Sequence, residues 1–544
     1  MMSNSKADLV LKNGAIYTVD KVNLWAEAMV ISGERIVFVG SNQDVESYIN
    51  PEAEVIDLEG KMVLPSFVDA HSHPSHAIDL FGNINLYPLD SNEKYQGSIR
   101  QFFVNNPNRE VYRGSGWDNT VFPNQGPRKE ILDAIIAHKP VSLVSNDGHS
   151  LWVNSATLEG AQITKDTPDP DGGVIERDPE TGEPNGTLRE TAMKLVDNVI
   201  PGYSQEERVN TLLHYQEMAF EAGVTMCHDA MLEEENIAGF QALENKGLLH
   251  MNFRGSILIE PDRPVDTQIK MLLSQRERNS HPKFQTNTAK LFVDGVVEGG
   301  TAYLLEPYSN RPDSYGELIW EPQQLNEICA ALDKEKIQIH IHVIGDAAAR
   351  IALDALEFAQ KNNGKRDARH LITHLQLVML EDILRFKHLD VIGIPNPYWF
   401  KIDDYYSILA LPYLGKKRAD QEYPMRSFLE AGVRMASASD FPVTIPFDPL
   451  IGIETGVTRS PVGTASNEIL WPEERVNLED MIASFTINGA YANFLENQTG
   501  SLEVGKQADF IVLNQNLFEI PEKEIANTKV LQTFIDGREV FRAA

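Results

Sequence analysis

The chain has 544 residues, 42% hydrophobic and 23% charged, enough for about 3–4 domain-sized units at about 150 residues each. Its 48 Lys+Arg against 79 Asp+Glu leave a formal charge of −31, a field that repels nucleic-acid phosphates and anionic lipid surfaces. No apolar run of ~20 residues and no basic-then-apolar leader is present, so neither a membrane span nor a secretion signal is expected. With Cys227 and Cys329 alone, a disulfide framework is excluded, and the expected setting is a reducing, cytoplasmic one.

Taken in chain order, the first 65 residues read as short strands over 8–16, 27–31, 35–40 and 54–57, punctuated by Asn13-Gly14, Ser32-Gly33-Glu34 and Glu59-Gly60. The last 49 residues repeat that texture, with strands over 510–513, 531–535 and 539–541. Neither end has enough strands to stand alone, so residues 1–65 and 496–544 are expected to form one small β-sandwich from both termini. Between them, short apolar runs alternate with amphipathic helical stretches such as 205–222, 323–334 and 347–361. The runs cover 66–71, 223–227, 252–258, 289–294, 337–343, 370–374, 391–395 and 433–440. Eight such strands predict an α/β fold, a (β/α)8 TIM-like barrel over 66–450 closed by a helical segment at 451–495. Roughly 150 residues separate the first two strands, against the ≥10–12 of a usual crossover. An inserted subdomain at about 80–200, with its own strand over 141–146, accounts for the excess.

Barrel sites form at the C-terminal ends of the strands. There the sequence places His71-Ser72-His73, then Asp294 four residues after Lys290, then His340-Ile341-His342, His374 and Asp440. Five of the chain's 14 histidines fall at these ends, more than scatter would put there. Side chains alternate with period 2, so Ile337, Ile339 and Ile341 face the helices while Gln338, His340 and His342 enter the barrel. Asp69, His71 and His73 likewise share one face, and two imidazoles at i and i+2 on one strand end can chelate a single cation. Lys290 points inward with Phe292 and Asp294. Burial pushes a lysine toward its neutral form, which can take up CO₂ as a bridging carbamate; pairing with Asp294 or Asp440 is the alternative.

These residues lie in stretches that resemble the amidohydrolase superfamily. They include Gly60 to His73, Gly114 to Asp118, Asp147 to Asn154, Gly223 to Asp229 and Lys290 to Gly295. The series continues with Glu306-Pro307-Tyr308, His342 to Asp346, Ile372-Thr373-His374, Ser439 to Val443 and Gly505 to Phe510. The ordered set is most similar to the family-3 branch, which includes YtcJ-like proteins, N-substituted formamide deformylases and exoenzyme regulatory proteins. The resemblance covers nearly the whole chain. It implies that His71, His73, carbamylated Lys290, His342 and His374 hold one or two divalent metal ions, zinc foremost. Asp440 joins them as the catalytic carboxylate, with His374 beside it. His340 stands two residues before the expected ligand, and His342 is favoured because it is nearer the strand's mouth.

Such a centre hydrolyses a C–N bond of an amide or N-substituted formamide: water at the metal attacks, and Asp440 moves the proton to the leaving nitrogen. Trp117, Asp118, His149, Tyr303, Tyr308 and Trp399, with Arg311 and Tyr398, lie in segments that could line a pocket for a small-molecule substrate. Cys227, at the end of the second strand, reads as a small buried hydrophobe, with metal ligation as the alternative. Three further readings stay open: a cyclic-amide hydrolase, a deaminase, and a non-catalytic metal-binding regulator. No nucleic-acid or membrane partner is expected, and a homodimer is left open.

Overall fold

The computed structural model describes residues 7–87, 89–464 and 468–544. Its centre is a parallel sheet of seven strands: β1 (Phe67–Ser72), β2 (Val224–Leu232), β3 (Asn252–Leu258), β4 (Phe284–Phe292), β5 (Gln338–Val343), β6 (Leu371–His374) and β7 (Ile392–Pro395). They neighbour one another in chain order, every pair parallel. The eighth strand expected over 433–440 is an irregular segment with one bridge, Met435 to Gly393. It still closes the ring. Ala436 N and Ala438 N donate to Gly393 O and Pro395 O at 2.9 and 3.0 Å, and on its other edge Asp440 N donates to His71 O at 2.9 Å. Its ladder is broken because the Asp69 carboxylate accepts from Ser439 N at 3.0 Å and from the Ser439 hydroxyl.

Alternation does set the layers. Ile337, Ile339 and Ile341 are fully buried against the helices, each contributing about 1.5–3 kcal/mol. The helix Gln205–Glu221 opens with a Ser204–Glu207 capping box and buries Leu212, Tyr215 and Ala219 on one face, which seats it on the barrel. β4 begins five residues earlier than its apolar run. Its first turn of pleat, Gln285 to Thr288, is polar, and Gln285, Asn287 and Thr288 line a cavity at the N-terminal end of the barrel.

The stretch 8–16 is two strands, Leu9–Lys12 and Ala15–Tyr17, divided at Asn13 (φ 57°) and given to different sheets. One sheet of four strands uses only N-terminal residues. The other has six and joins Ala15–Tyr17, Trp25–Ala26 and Met62–Pro65 to Phe510–Leu513, Val530–Ile535 and Arg538–Arg542. Leu11, Met29, Val63, Phe510 and Phe534 share the core between them. Residues 84–190 form a separate six-stranded sheet around Tyr95, Tyr112, Trp117 and Trp152. No helix among the described residues is long and apolar enough to cross a membrane.

Candidate metal centre

The C-terminal ends of β1, β6 and the closing segment bring His71, His374 and Asp440 together, one donor atom of each lying within 4.8 Å of the others. Asp440 Oδ1 lies 3.1 Å from His71 Nε2 and 3.2 Å from His73 Nε2. The His342 ring packs 4.6 Å from that of His374. Lys290 is fully buried, and its Nζ has no hydrogen bond or ion pair among the described residues, lying 4.6 Å from the Phe292 ring. Of the two aspartates offered as its partners, Asp294 is engaged elsewhere. Asp294 accepts from Tyr303 N, Ile344 N and Gly345 N at 2.9, 3.1 and 2.8 Å, pinning the loop after β4 to the end of β5.

Which nitrogen each histidine presents follows from its partners. Asn493 Nδ2 donates to Gly489 O at 2.9 Å, so its Oδ1 is the acceptor of the 2.7 Å bond from His228 Nδ1. Burial pushes the His228 pKa down to about 4, so the ring is neutral and its Nε2 accepts from Ser256 Oγ at 2.7 Å. Ser256 Oγ then accepts from His340 Nδ1 at 3.3 Å, and His340, also held neutral by burial, accepts at Nε2 from His71 Nδ1 at 2.7 Å. The chain ends with a lone pair on His71 Nε2. Asn396 fixes His374 in the same way: its Nδ2 donates to Ala438 O at 3.2 Å and its Oδ1 accepts from His374 Nδ1 at 2.9 Å, leaving Nε2. Both nitrogens of His340 are used up, whereas His342 donates only Nε2, to Gly295 O at 3.1 Å.

A divalent cation fits this donor set. His71 Nε2 and Asp440 Oδ1 are buried electron-pair donors without a hydrogen-bond partner among the described residues, and they face each other at 3.1 Å. Two lone pairs repel at that distance unless a cation neutralises them. Donors about 2.0–2.2 Å from one ion, at tetrahedral to octahedral angles, lie about 3.0–3.5 Å apart, which matches both contacts of Asp440. Burial, then Lys290, holds His71 well below the ordinary histidine pKa, so the ligand form is the neutral one. Burial brings Lys290 down to about 7. For Asp440 burial acts upward, but His374, His73 and Lys290 outweigh it and keep the carboxylate ionised. His374 and Asp440 sit at φ 70° and 62°, a left-handed backbone that costs non-glycine residues about 1–3 kcal/mol and is tolerated at sites held by their surroundings.

Of the residues named for a substrate pocket, His149 and Trp399 reach the centre. The insertion delivers His149, paired with Glu190 at 3.0 Å, to 6.0 Å from the His342 ring. Trp399 stacks on His374 at 5.6 Å. Others are placed differently. Trp117 is buried in the insertion's core and donates to Leu143 O, and Tyr308 is buried with its hydroxyl on Ala302 O, because large aromatics in those runs complete local cores. Tyr398 is buried with its hydroxyl on Phe447 O. Asp118 accepts from Thr120 N and Asn146 Nδ2, organising its own turn, and the Tyr303 backbone serves Asp294. Arg311 lies over Tyr413 at 6.0 Å. Cys227 packs in the core, its sulfur 2.9 Å from Ser72 Oγ. Sequence reasoning missed His228, Ser256, Asn396 and Asn493; extending the second strand one residue past Cys227 would have reached His228.

A closed parallel barrel with such a donor cluster at its C-terminal mouth defines a metal-dependent hydrolase. Residues 54–541 match the Amidohydrolase family, and the chain belongs to it. It is 30% identical to protein LONG AFTER FAR-RED 3 of Arabidopsis thaliana, over 98% of this chain and 92% of that protein. It is 28% identical to an N-substituted formamide deformylase of Arthrobacter pascens, over 97% of each chain. An uncharacterized metal-dependent hydrolase from Pyrococcus furiosus superposes with a TM-score of 0.70 at 25% identity, covering 93% of this chain and 99% of that one. The protein is thus a metal-dependent hydrolase of carbon–nitrogen bonds.

Proposed function

We propose that the protein hydrolyses the amide bond of an N-substituted formamide or a similarly small N-acyl amine at a zinc centre held by His71, His73, His342, His374 and Asp440. The observation that carries this reading is the pair of opposed lone pairs at His71 Nε2 and Asp440 Oδ1. Similarity to a formamide deformylase over 97% of each chain supports the substrate class. A divalent ion at this position supplies a water acidic enough to ionise near neutral pH and polarises the scissile carbonyl.

Within that chemistry, Asp440 accepts the proton of the attacking water on its carboxylate and delivers it to the leaving nitrogen, which departs as a neutral amine. Asn396 holds the His374 ring in the orientation that keeps Nε2 toward the centre. Trp399 and Phe292, against His374 and His342, form an apolar wall that excludes bulk water from the reacting carbonyl and accepts an apolar N-substituent. Lys290 completes the set as a carbamate. Its neutral amine attacks CO₂: an N–C bond forms as one C=O π pair moves onto oxygen, one N–H proton leaves to water, and an anionic oxygen donor stands where the neutral amine stood. Protein loaded with ¹³C-bicarbonate should show a protein-bound carbamate resonance that Lys290→Ala abolishes; an unmodified lysine refutes this assignment.

A panel of formanilides, N-acyl amines and cyclic amides tests the substrate class. Turnover should be greatest for formyl groups on apolar amines. No turnover of any member at full metal occupancy would sink the proposal, and preference for cyclic amides would replace it.

A further inference from the structure

We propose that the opposite, N-terminal pole of the barrel carries a second binding site, for a small anion of the organic carboxylate or phosphate class, with Arg254 as the group that receives its charge. A cavity of about 440 Å³ opens there, lined by Arg254, Gln285, Thr288, Asn493, Leu495 and Gln498 among others. It lies at the start of the strands rather than their ends: Arg254 pairs with Gln285 in the first half of β3 and β4. Its volume would hold on the order of fifteen waters at about 30 Å³ each. That is within the range of pockets that enclose small organic ligands.

Arg254 is the unexplained group. The residue is 8% exposed, and its only hydrogen bonds run from Nη1 to Phe253 O at 2.8 Å and Pro282 O at 3.4 Å. Its Nε and Nη2 have no hydrogen-bond partner, and no carboxylate lies within ion-pair distance, among the described residues. Burial lowers its pKa to about 10, which leaves it charged at neutral pH. The contrast with Arg459, which is fully buried, is direct. Arg459 spends Nε, Nη1 and Nη2 on the carbonyls of Leu470, Tyr423 and Glu422. A chain with 79 acidic and 48 basic residues has abundant carboxylates with which to neutralise a buried cation, yet this one faces only amides, a hydroxyl and apolar side chains. A guanidinium whose Nε–Nη2 edge is free, with the amides of Gln285 and Gln498 lining the same cavity, matches a carboxylate or phosphate group. Leu495 supplies an apolar flank for the rest of an organic anion. The site also has a route to the metal centre, because Asn493 lines this cavity and begins the hydrogen-bonded chain that ends on His71.

Calorimetric titration of the metal-loaded protein with inorganic phosphate and, separately, with pentanoate tests the assignment. At least one probe should bind saturably. Arg254→Gln should weaken that binding at least tenfold, and so should Gln285→Glu, which keeps the arginine but sets a carboxylate beside it. Binding of phosphate alone identifies a phosphate-type ligand, and binding of pentanoate alone or of both identifies an organic carboxylate site. An anion held at the metal centre instead would bind both variants as tightly as the parent protein, and that result overturns the proposal. So does the absence of saturable binding by either probe. The titration reads no turnover, so its outcome is independent of the substrate proposed above.

Discussion

His340 is the residue whose replacement best separates a ligand from a group that orients one. In the structure it accepts from His71 Nδ1 at 2.7 Å and donates to Ser256 Oγ at 3.3 Å. His340→Leu leaves the His71 Nδ1–H buried and unpaired, a cost of about 1–3 kcal/mol. It also frees the His71 ring to put its proton on Nε2, the nitrogen that faces Asp440. Losing such an orienting partner weakens metal binding about 10–100-fold, or about 1.4–2.7 kcal/mol at 1.36 kcal/mol per decade. His340→Gln keeps an acceptor for His71 and should recover most of that loss. Competition with a chromogenic chelator measures metal affinity, and denaturant unfolding in excess chelator measures the cost to the metal-free fold. If His340→Leu binds metal as tightly as the parent protein, the tautomer argument fails. If the glutamine variant is as weak as the leucine variant, His340 acts as a ligand and the assignment to His342 is reversed.

Asp440→Asn should retain metal through the histidines while kcat falls about 10²–10⁴-fold, the share of a positioned acid–base group; metal analysis beside steady-state kinetics checks both halves. Trp399→Ala removes the ring stacked on His374 and should raise KM for apolar N-substituents about tenfold with a smaller change in kcat, judged against aromatic pair energies of about 0.5–1.5 kcal/mol beyond buried area. The reverse split would place Trp399 in the chemistry. Burial opposes charge on His149, yet Glu190, then Asp147 and Glu298, raise its pKa from 6.5 to about 10. The folded state therefore holds a proton that the unfolded state releases: this stability is fully present below pH 6.5 and is lost as pH rises through about 10, at up to about 1.4 kcal/mol per pH unit between them. Denaturant unfolding at pH 7, 8 and 9 should show a slope that His149→Gln flattens; an unchanged slope removes the His149–Glu190 pair as its cause.

The barrel was legible because its strands are short apolar runs ending in residues that an apolar interior would not otherwise carry. Period-2 alternation then sorted Ile339 from His340 without any structure. What alternation does not contain is depth. His340 and His342 both point inward, about 6.6 Å apart along the strand at about 3.3 Å per residue, and only the stagger between neighbouring strands decides which one is level with His374. The same limit hid the deeper layer. Ser256 sits on β3 and Asn493 follows a helix near the C-terminal sandwich, so no local spacing links them to His228. The irregular segment 433–440 carries the Val, Met and Ala of a strand, whereas the Ser439 amide goes to the Asp69 carboxylate rather than to a ladder, with the Ser439 hydroxyl beside it and the Ser437 hydroxyl on Ser484. Trp117 and Tyr308 show the converse error, in which a large aromatic near a site fills a core, that of the insertion for Trp117 and that of the barrel for Tyr308.

Depth also explains why the centre needs two layers of histidine. Ligands at the mouth must present lone pairs, and a buried neutral imidazole presents one only if its other nitrogen has a committed acceptor. For His374 and His342 that acceptor is an oxygen, of Asn396 and Gly295. For His71 it is another imidazole, whose own proton must then be placed, and the demand passes inward through Ser256 and His228 until it reaches the Asn493 amide, fixed by Gly489 O. An amide cannot change tautomer, so the chain stops there and the proton positions along it are determined. The unambiguous lone pair on His71 Nε2 is thus set by a residue on the far side of the barrel floor.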